Sequence, residues 1–217
     1  MVDKFRDPML TPREVARHLV IPPTTVYHWL SEKANGAPLV HHVAPEKRGR
    51  PSVPFVAVVE AYVLRSLRSL GLSMPKIKDA AAEVRRVIDS PYALATHKIT
   101  TDGVDVFVHY ADDDLARAGD NQRPFRDVIE GYLRYIEWDV EDGFASSLRL
   151  RQYPDVAPVV LDPRFGWGAP IVRSAKVPVK TVVDLWRAGE SFTDVAYEYG
   201  LTTEQVEAIC RVYDGAA

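Results

Sequence analysis

Between Thr11 and Leu30, apolar residues recur at the spacing of two short helices separated by a break. Val15, Ala16 and Leu19 repeat at helical intervals. Thr11 is suited to cap that helix, Pro12 to its first position, and Glu14 completes a capping box. Ile21-Pro22-Pro23 ends it and begins a second helix, since proline is tolerated at a helix start and not in its interior. Val26, Trp29 and Leu30 then face the first helix, which leaves Thr24, Thr25, Tyr27 and His28 pointing outward. A helix-turn-helix protein carries its base contacts on that part of the second helix.

Farther along, Leu39-Val40-His41-His42-Val43 reads as one strand. Phe55 to Leu70 is an amphipathic helix with Phe55, Val56, Val59, Tyr62, Val63 and Leu67 on one face and Arg65 and Arg68 off it. Gly71 ends that helix and Ser73 caps another, striped by Ile77, Ala80, Ala81, Val84 and Ile88. Asp102-Gly103 predicts a hairpin between Lys98–Thr101 and Val104–Val108. After the polar stretch from Ala111 to Arg123, a helix is expected over 124–138, with Phe125, Val128, Ile129, Leu133 and Ile136 buried. Asp142-Gly143 turns into a strand ending at Leu150, and Pro158–Leu161 and Ile171-Val172 read as short strands about an aromatic-glycine loop. Three helices close the chain: one stopping at Gly189, one capped by Ser191 and ending at Gly200, and one capped by Thr202 with Gln205.

Charge sharpens the picture. The turn Lys47-Arg48-Gly49-Arg50-Pro51 adds a basic wing, and its Gly-Arg-Pro core resembles an AT-hook. Glycine permits close backbone approach, proline keeps the chain extended, and arginines suit a narrow, electronegative minor groove. Thr24, Thr25, Tyr27, His28, Lys47, Arg48 and Arg50 are therefore the expected DNA-binding residues. The overall charge of −3 hides an asymmetry. Residues 1–90 carry fourteen Lys and Arg against nine Asp and Glu, a net +5, whereas residues 91–217 carry a net −8. A basic head on an acidic body points to two partners of opposite character. The last helices also resemble a helix-turn-helix, but from Val177 onward three cations face seven anions, so they read as a protein-binding or dimerising module.

Composition and candidate chemistry exclude more than they add. The chain has 217 residues, 47% of them hydrophobic and 26% charged, with no apolar run long enough to span a membrane and no signal-peptide stretch, so a cytoplasmic protein is expected. Cys210 is the single cysteine, which rules out an internal disulfide or thiolate cluster. His41-His42, His97 and His109 lack zinc-site spacing. Asp112-Asp113-Asp114 lacks the glycine and bidentate glutamate of a calcium loop and reads as a solvated loop or helix cap. No grouping has the spacing of a catalytic constellation, so neither metal, cofactor nor catalysis is expected.

The order of parts resembles bacterial antitoxins that join a MerR-like winged head to a C-terminal domain of unknown function 433. In the head the likeness rests on Ile21-Pro22-Pro23-Thr24-Thr25-Val26-Tyr27-His28-Trp29, the wing, and Phe55 through Arg68. At the C-terminus it rests on Leu161-Asp162-Pro163, Gly168-x-Pro170-x-Val172, Ala188-Gly189-Glu190-Ser191 and Val195-Ala196-Tyr197-Glu198-Tyr199-Gly200-Leu201. The resemblance implies a VapB-type antitoxin that represses its own operon and neutralises a VapC-type PIN-domain ribonuclease. The chain departs from MerR activators in having no long coiled coil and no effector-binding cysteines. It also has Arg173 where the C-terminal family places a glycine.

Together these observations predict an α+β, mainly helical protein: a winged helix-turn-helix over 1–90, a mixed segment with a central β-hairpin plus helix over 91–154, and a trihelical module over 155–217. Its expected partners are double-stranded operator DNA, bound as a homodimer, and a VapC-type toxin. Arg149 and Arg151 are the cations to consider against the toxin's acidic metal site; the rival reading is that they merely offset the surrounding carboxylates. A ligand-responsive MerR-like regulator is the alternative. An enzyme with an appended DNA-binding head is the third reading.

Overall fold

The computed structural model describes residues 2–31, 33–34, 37–118 and 125–215, with the side chains of residues 33, 34, 37, 111–118 and 125 set aside. Among the described residues, nine α-helices and six short strands make an α+β fold that is mainly helical. It divides into two compact units, Asp3–Ser146 and Ser147–Ala217 with Met1–Val2, and the boundary falls inside a strand.

In the first unit, α1 (Pro12–Leu19) and α2 (Pro23–Ser31) form as the pattern predicts. Thr11 and Glu14 exchange the two bonds of the capping box, at 3.2 and 2.8 Å. Val15, Ala16, Leu19, Val26, Trp29 and Leu30 are buried. Two tiny strands follow, β1 (Lys33–Ala34) and β2 (Ala37–Pro38), paired antiparallel. Helix α3 (Phe55–Ser69) is the axis of this unit: from Phe55 to Leu64 every side chain is buried, so it is enclosed on all sides rather than along one stripe. Helix α4 (Met74–Ile88) buries Ile77, Ala80, Ala81, Val84 and Ile88, the expected stripe. Ser73 stands at its N-cap without its side chain making the capping bond.

Four expectations for this unit fail, each for a local reason. Leu39–Val43 is not a strand. Its backbone groups are taken by buried side chains instead: Glu60 accepts from the His41 N–H at 2.8 Å, and Arg85 donates to the Leu39 carbonyl at 3.0 Å. The hairpin over 98–108 is absent. His97–Thr100 is a 3-10 turn, and α5 (Asp102–Ala118) begins at the Asp-Gly pair itself. The valines of Val104–Val108 alternate, but the fully buried residues Val104 and Phe107 stand three apart, on the α5 face that meets α4. Gly103 serves contact rather than turning, since a Cβ there would come within 2.8 Å of Ile99 Cγ1. Third, Asp112–Asp114 lie within α5 rather than in a loop, with side chains outside the described residues, as is that of Phe125. Fourth, the helix expected over 124–138 is shorter. Helix α6 (Phe125–Leu133) stops, and Ile136–Trp138 is strand β3. Ile129, Leu133 and Ile136 are buried and Val128 is half-buried.

Asp142-Gly143 turns as predicted. The Gly143 N–H bonds to the Asp139 carbonyl at 2.9 Å, and the Asp139 N–H to that of Phe144 at 2.8 Å, leading into β4 (Ala145–Arg149). In the second unit β4 pairs antiparallel with β5 (Val159–Leu161), and β5 with β6 (Ile171–Val172). Helices α7 (Val179–Arg187), α8 (Phe192–Tyr199) and α9 (Thr203–Gly215) complete the trihelical module. Ser191 accepts from the Asp194 N–H at 3.1 Å, and Thr202 and Gln205 exchange capping bonds at 3.1 and 3.0 Å. Among the described residues no helix is long and apolar enough to cross a membrane.

Candidate nucleic-acid interface

The outward side of α2 carries Thr24, Tyr27 and His28 exposed and Thr25 half-buried. Val26 and Trp29, 1% and 2% exposed, fix the helix on its other side, so the register of the outward residues is set by packing. The turn that aims α2 is closed by an Ile21 N–H to Ala16 carbonyl bond of 3.0 Å across Val20, which adopts the left-handed region at φ 51° and ψ 56°.

The basic turn is built as a tight reverse turn. The Arg50 N–H donates to the Lys47 carbonyl at 3.1 Å, and Gly49 at the third position has φ 84°, a conformation natural only to glycine there. Lys47, Arg48 and Arg50 are all exposed. The arms of this wing are held by backbone bonds, from the Val43 N–H to the Ser52 carbonyl at 2.8 Å and between Leu10 and Val53. Leu10 immediately precedes the Thr11 cap, so the wing is anchored beside the start of α1.

Beneath the wing lies a buried charge cluster that sequence reasoning did not anticipate. Glu60, at the centre of α3, is fully buried. Its carboxylate takes His41 Nδ1 at 2.8 Å in addition to the His41 N–H, with an Arg85 guanidinium nitrogen 3.6 Å away. Burial lowers the Arg85 pKa, and the attraction of Glu60 works against that shift. The His41 ring packs against Tyr92 in a tilted contact, 4.4 Å between ring centroids. A buried ion pair of this kind adds little net stability over an apolar filling but makes removal of one partner costly. Here it ties the wing's first arm to both core helices.

Two further residues join the outward face of α2. Arg68, near the end of α3, and Met74, at the start of α4, line a groove of about 270 Å³ together with Thr24, Thr25, His28 and Trp29. Arg68 donates to the Leu72 carbonyl at 2.8 Å, which orients its guanidinium. The one sequence signal for Arg68 is its place off the apolar face of its helix. His18, in the last turn of α1, has its pKa lowered to about 4, first by burial and then by Arg17.

The remaining candidates lie elsewhere. Arg149, in β4, is ion-paired with Asp155, and Arg151 is exposed in the turn after it. His97 packs beside Trp138 and His109 beside Tyr110, each at less than 6 Å between rings. Among the described residues, no three His, Cys, Asp or Glu side chains come together as a metal site. Cys210 is buried, and that burial, with Asp214 adding to it, pushes its thiol up to about 11.

Known proteins resemble both ends of the chain. A family described as "Putative DNA-binding HTH domain" matches residues 8–81, and one described as "Protein of unknown function (DUF433)" matches residues 159–213. The "Putative antitoxin VapB45" of Mycobacterium tuberculosis is 33% identical over 224 residues, which span 94% of this chain and 92% of that protein. The crystal structure of Rv2018 from Mycobacterium tuberculosis is also 33% identical. It superposes with a TM-score of 0.81 over 94% of this chain and 98% of its own.

Proposed function

We propose that this chain, which belongs to the family of the antitoxin VapB45, acts as a DNA-binding antitoxin that represses its own operon and neutralises a VapC-type PIN-domain ribonuclease. The observation that carries the DNA half is the pairing of an outward, uncharged α2 face with a rigid basic turn. Thr25, Tyr27 and His28 are suited to base edges in a major groove, with Thr24 at the helix start. Lys47, Arg48 and Arg50 are suited to phosphates or to the adjacent minor groove, where arginine is favoured. Arg68 adds a backbone contact from the far side of the groove. A single head makes few contacts, so two heads of a homodimer would read paired half-sites.

The division of labour follows the charge. Residues 1–90, at +5, take DNA, whereas the toxin is met within residues 91–217, at −8, by the C-terminal module, the middle segment or both. The chain has no catalytic role in this reading. Neutralisation proceeds by a cation entering the toxin's acidic metal site or by occlusion of its entrance, with Arg149 and Arg151 as cations to examine. The ion pair between Arg149 and Asp155 favours the structural role for Arg149.

Growth rescue tests the whole reading. Co-expression with the neighbouring toxin should rescue growth even when Arg48 and Arg50 are both alanine, because neutralisation does not need DNA. Rescue that requires both arginines, or a genome with no toxin gene beside this one, overturns it in favour of a ligand-responsive regulator.

A further inference from the structure

The second unit displays a large aromatic side chain on a backbone conformation that L residues rarely adopt. Trp167 is 84% exposed, and its backbone lies in the left-handed region at φ 50° and ψ 42°. A non-glycine residue held there is strained, and such strain persists only where the surroundings impose it. The surroundings do impose it. The Ala169 N–H bonds to the Gly166 carbonyl at 2.9 Å, and the Phe165 N–H to the Asp162 carbonyl at 3.0 Å. Gly166 approaches Ile171 so closely that a Cβ would meet its Cγ2 at 2.8 Å. Asp162 is 2% exposed and accepts three bonds from Arg164, from the backbone N–H and Nε at 2.9 Å and from Nη2 at 2.7 Å. The loop is therefore a rigid mount, and the side chain it presents is an indole.

The setting of that indole is cationic. Lys176 Nζ lies 5.0 Å from the centroid of the exposed Phe165 ring, and the Arg164 guanidinium lies 5.8 Å from it. Arg164, Arg173 and Lys176 are all exposed, and the one carboxylate from residue 161 to 176, Asp162, is buried. The helices that follow have the opposite character, with three cations against seven anions from Val177 onward. Tryptophan and arginine are the residue types that most often dominate binding energy at protein interfaces. A two-fold contact of this patch with its own copy would set three cations against three and would be repelled.

We infer that Trp167, flanked by Phe165, Arg164, Arg173 and Lys176, is the anchor by which the C-terminal unit grips the toxin, and that it enters an apolar pocket edged by carboxylates. This rests on the antitoxin reading above and assigns that reading a surface. Arg149 and Arg151 are not part of it. The preset left-handed backbone means that the main chain at Trp167 is ordered before binding, which reduces the backbone entropy lost on association.

Calorimetric titration of the full-length chain with the separately purified neighbouring toxin tests this. Trp167→Gly removes the indole while suiting the backbone, so its melting temperature should not fall. Its Kd should rise about 100-fold, the scale of a central tryptophan hot spot. Trp167→Phe should recover part of that loss. Lys176→Glu and Arg173→Glu should each weaken binding about 5- to 10-fold, with the difference shrinking as salt rises. If the native chain binds the toxin and Trp167→Gly binds equally well, the anchor is elsewhere and the antitoxin reading stands. Absence of any complex with the native chain overturns both. Two other outcomes also overturn the anchor. One is a Trp167→Gly chain that keeps the toxin but loses affinity for a single-stranded RNA oligonucleotide. The other is one that keeps the toxin but changes oligomeric state.

Discussion

The two helix-turn-helix elements of this chain share one backbone design and carry opposite surfaces. In α1–α2 a capping box opens the first helix, and an N–H to carbonyl bond from Ile21 to Ala16 closes it across a left-handed residue. In α8–α9 the Ser191 cap opens the first helix, and the equivalent bond runs from Leu201 to Ala196, at 2.9 Å, across Gly200. The second helices then diverge. Helix α2 has no acidic residue in its first turn, and a basic wing follows it; α9 carries Glu204 in its first turn, then Glu207 and Asp214. Backbone hydrogen bonds make the motif, whereas charge decides what it can approach.

The largest difference to probe is internal. The α1–α2 element rests on a core pinned by Glu60, His41 and Arg85. Replacing Glu60 by alanine leaves the Arg85 guanidinium buried without its counter-charge, which should cost about 3–5 kcal/mol of stability. Denaturant unfolding followed by far-UV circular dichroism measures it. A loss below about 1 kcal/mol would mean that the cluster is not a structural pin.

Binding separates the two elements next. Arg48→Ala with Arg50→Ala in the full-length chain should weaken duplex DNA binding and lower the salt slope by about one unit for each lost phosphate contact. If α8–α9 cannot approach phosphate, its own contribution is nil. Substituting Tyr27 or Thr25 as well should then leave no gel shift at physiological salt. A persistent shift would show that the acidic element binds DNA after all.

Acid acts on one element first. His18 has its folded pKa lowered to about 4, below its ordinary value, so the neutral form belongs to the folded state. Its contribution is complete above about pH 6.5 and is lost as pH falls from there towards 4. Titrating stability by circular dichroism from pH 7.5 to 4 should show that fall in the native chain, and His18→Gln should flatten it. An identical pH profile for both proteins would assign the fall to other groups.

The smallest effect lies in the two turns. Val20 is β-branched, 61% exposed and left-handed, whereas Gly200 holds the same region without strain. Val20→Gly should therefore raise stability by about 0.5–1 kcal/mol, and Gly200→Ala should lower it by about 1 kcal/mol. Thermal melts of the two variants read opposite signs if the turns are equivalent. Matching signs would break the analogy.

Much of this architecture is legible along the chain. The capping residues Thr11, Ser191 and Thr202, the prolines after Ile21, and the stripe from Ile77 to Ile88 are local signals, and they place α1, α2, α4, α8 and α9. The exposed face of α2 and the basic turn follow from the same patterns. The likeness of both ends to known antitoxins was readable in the motifs of the head and of the C-terminal segment. Arg68 was visible as an off-face cation, but nothing local says that it borders the same groove as Thr24 and His28.

Where the local signal and the tertiary environment conflict, the environment prevails. Asp102-Gly103 is a hairpin signal by itself, yet α4 offers an apolar face that Val104 and Phe107 can cover together only as a helix. Leu39–Val43 has strand composition, but buried Glu60 and Arg85 already occupy the backbone groups that a partner strand would need. Glu60 itself sits in a helix whose sequence reads as one-sided, and only enclosure of α3 on every side makes it a buried charge. Sequence thus determined where α1, α2, α4, α8 and α9 lie, how charge is divided, and which α2 side chains face outward, because those depend on neighbours a few residues apart. Tertiary structure decided which buried polar groups find partners and how far each apolar face is covered. Both depend on residues brought together from distant parts of the chain, where the free energy of desolvation exceeds local preference.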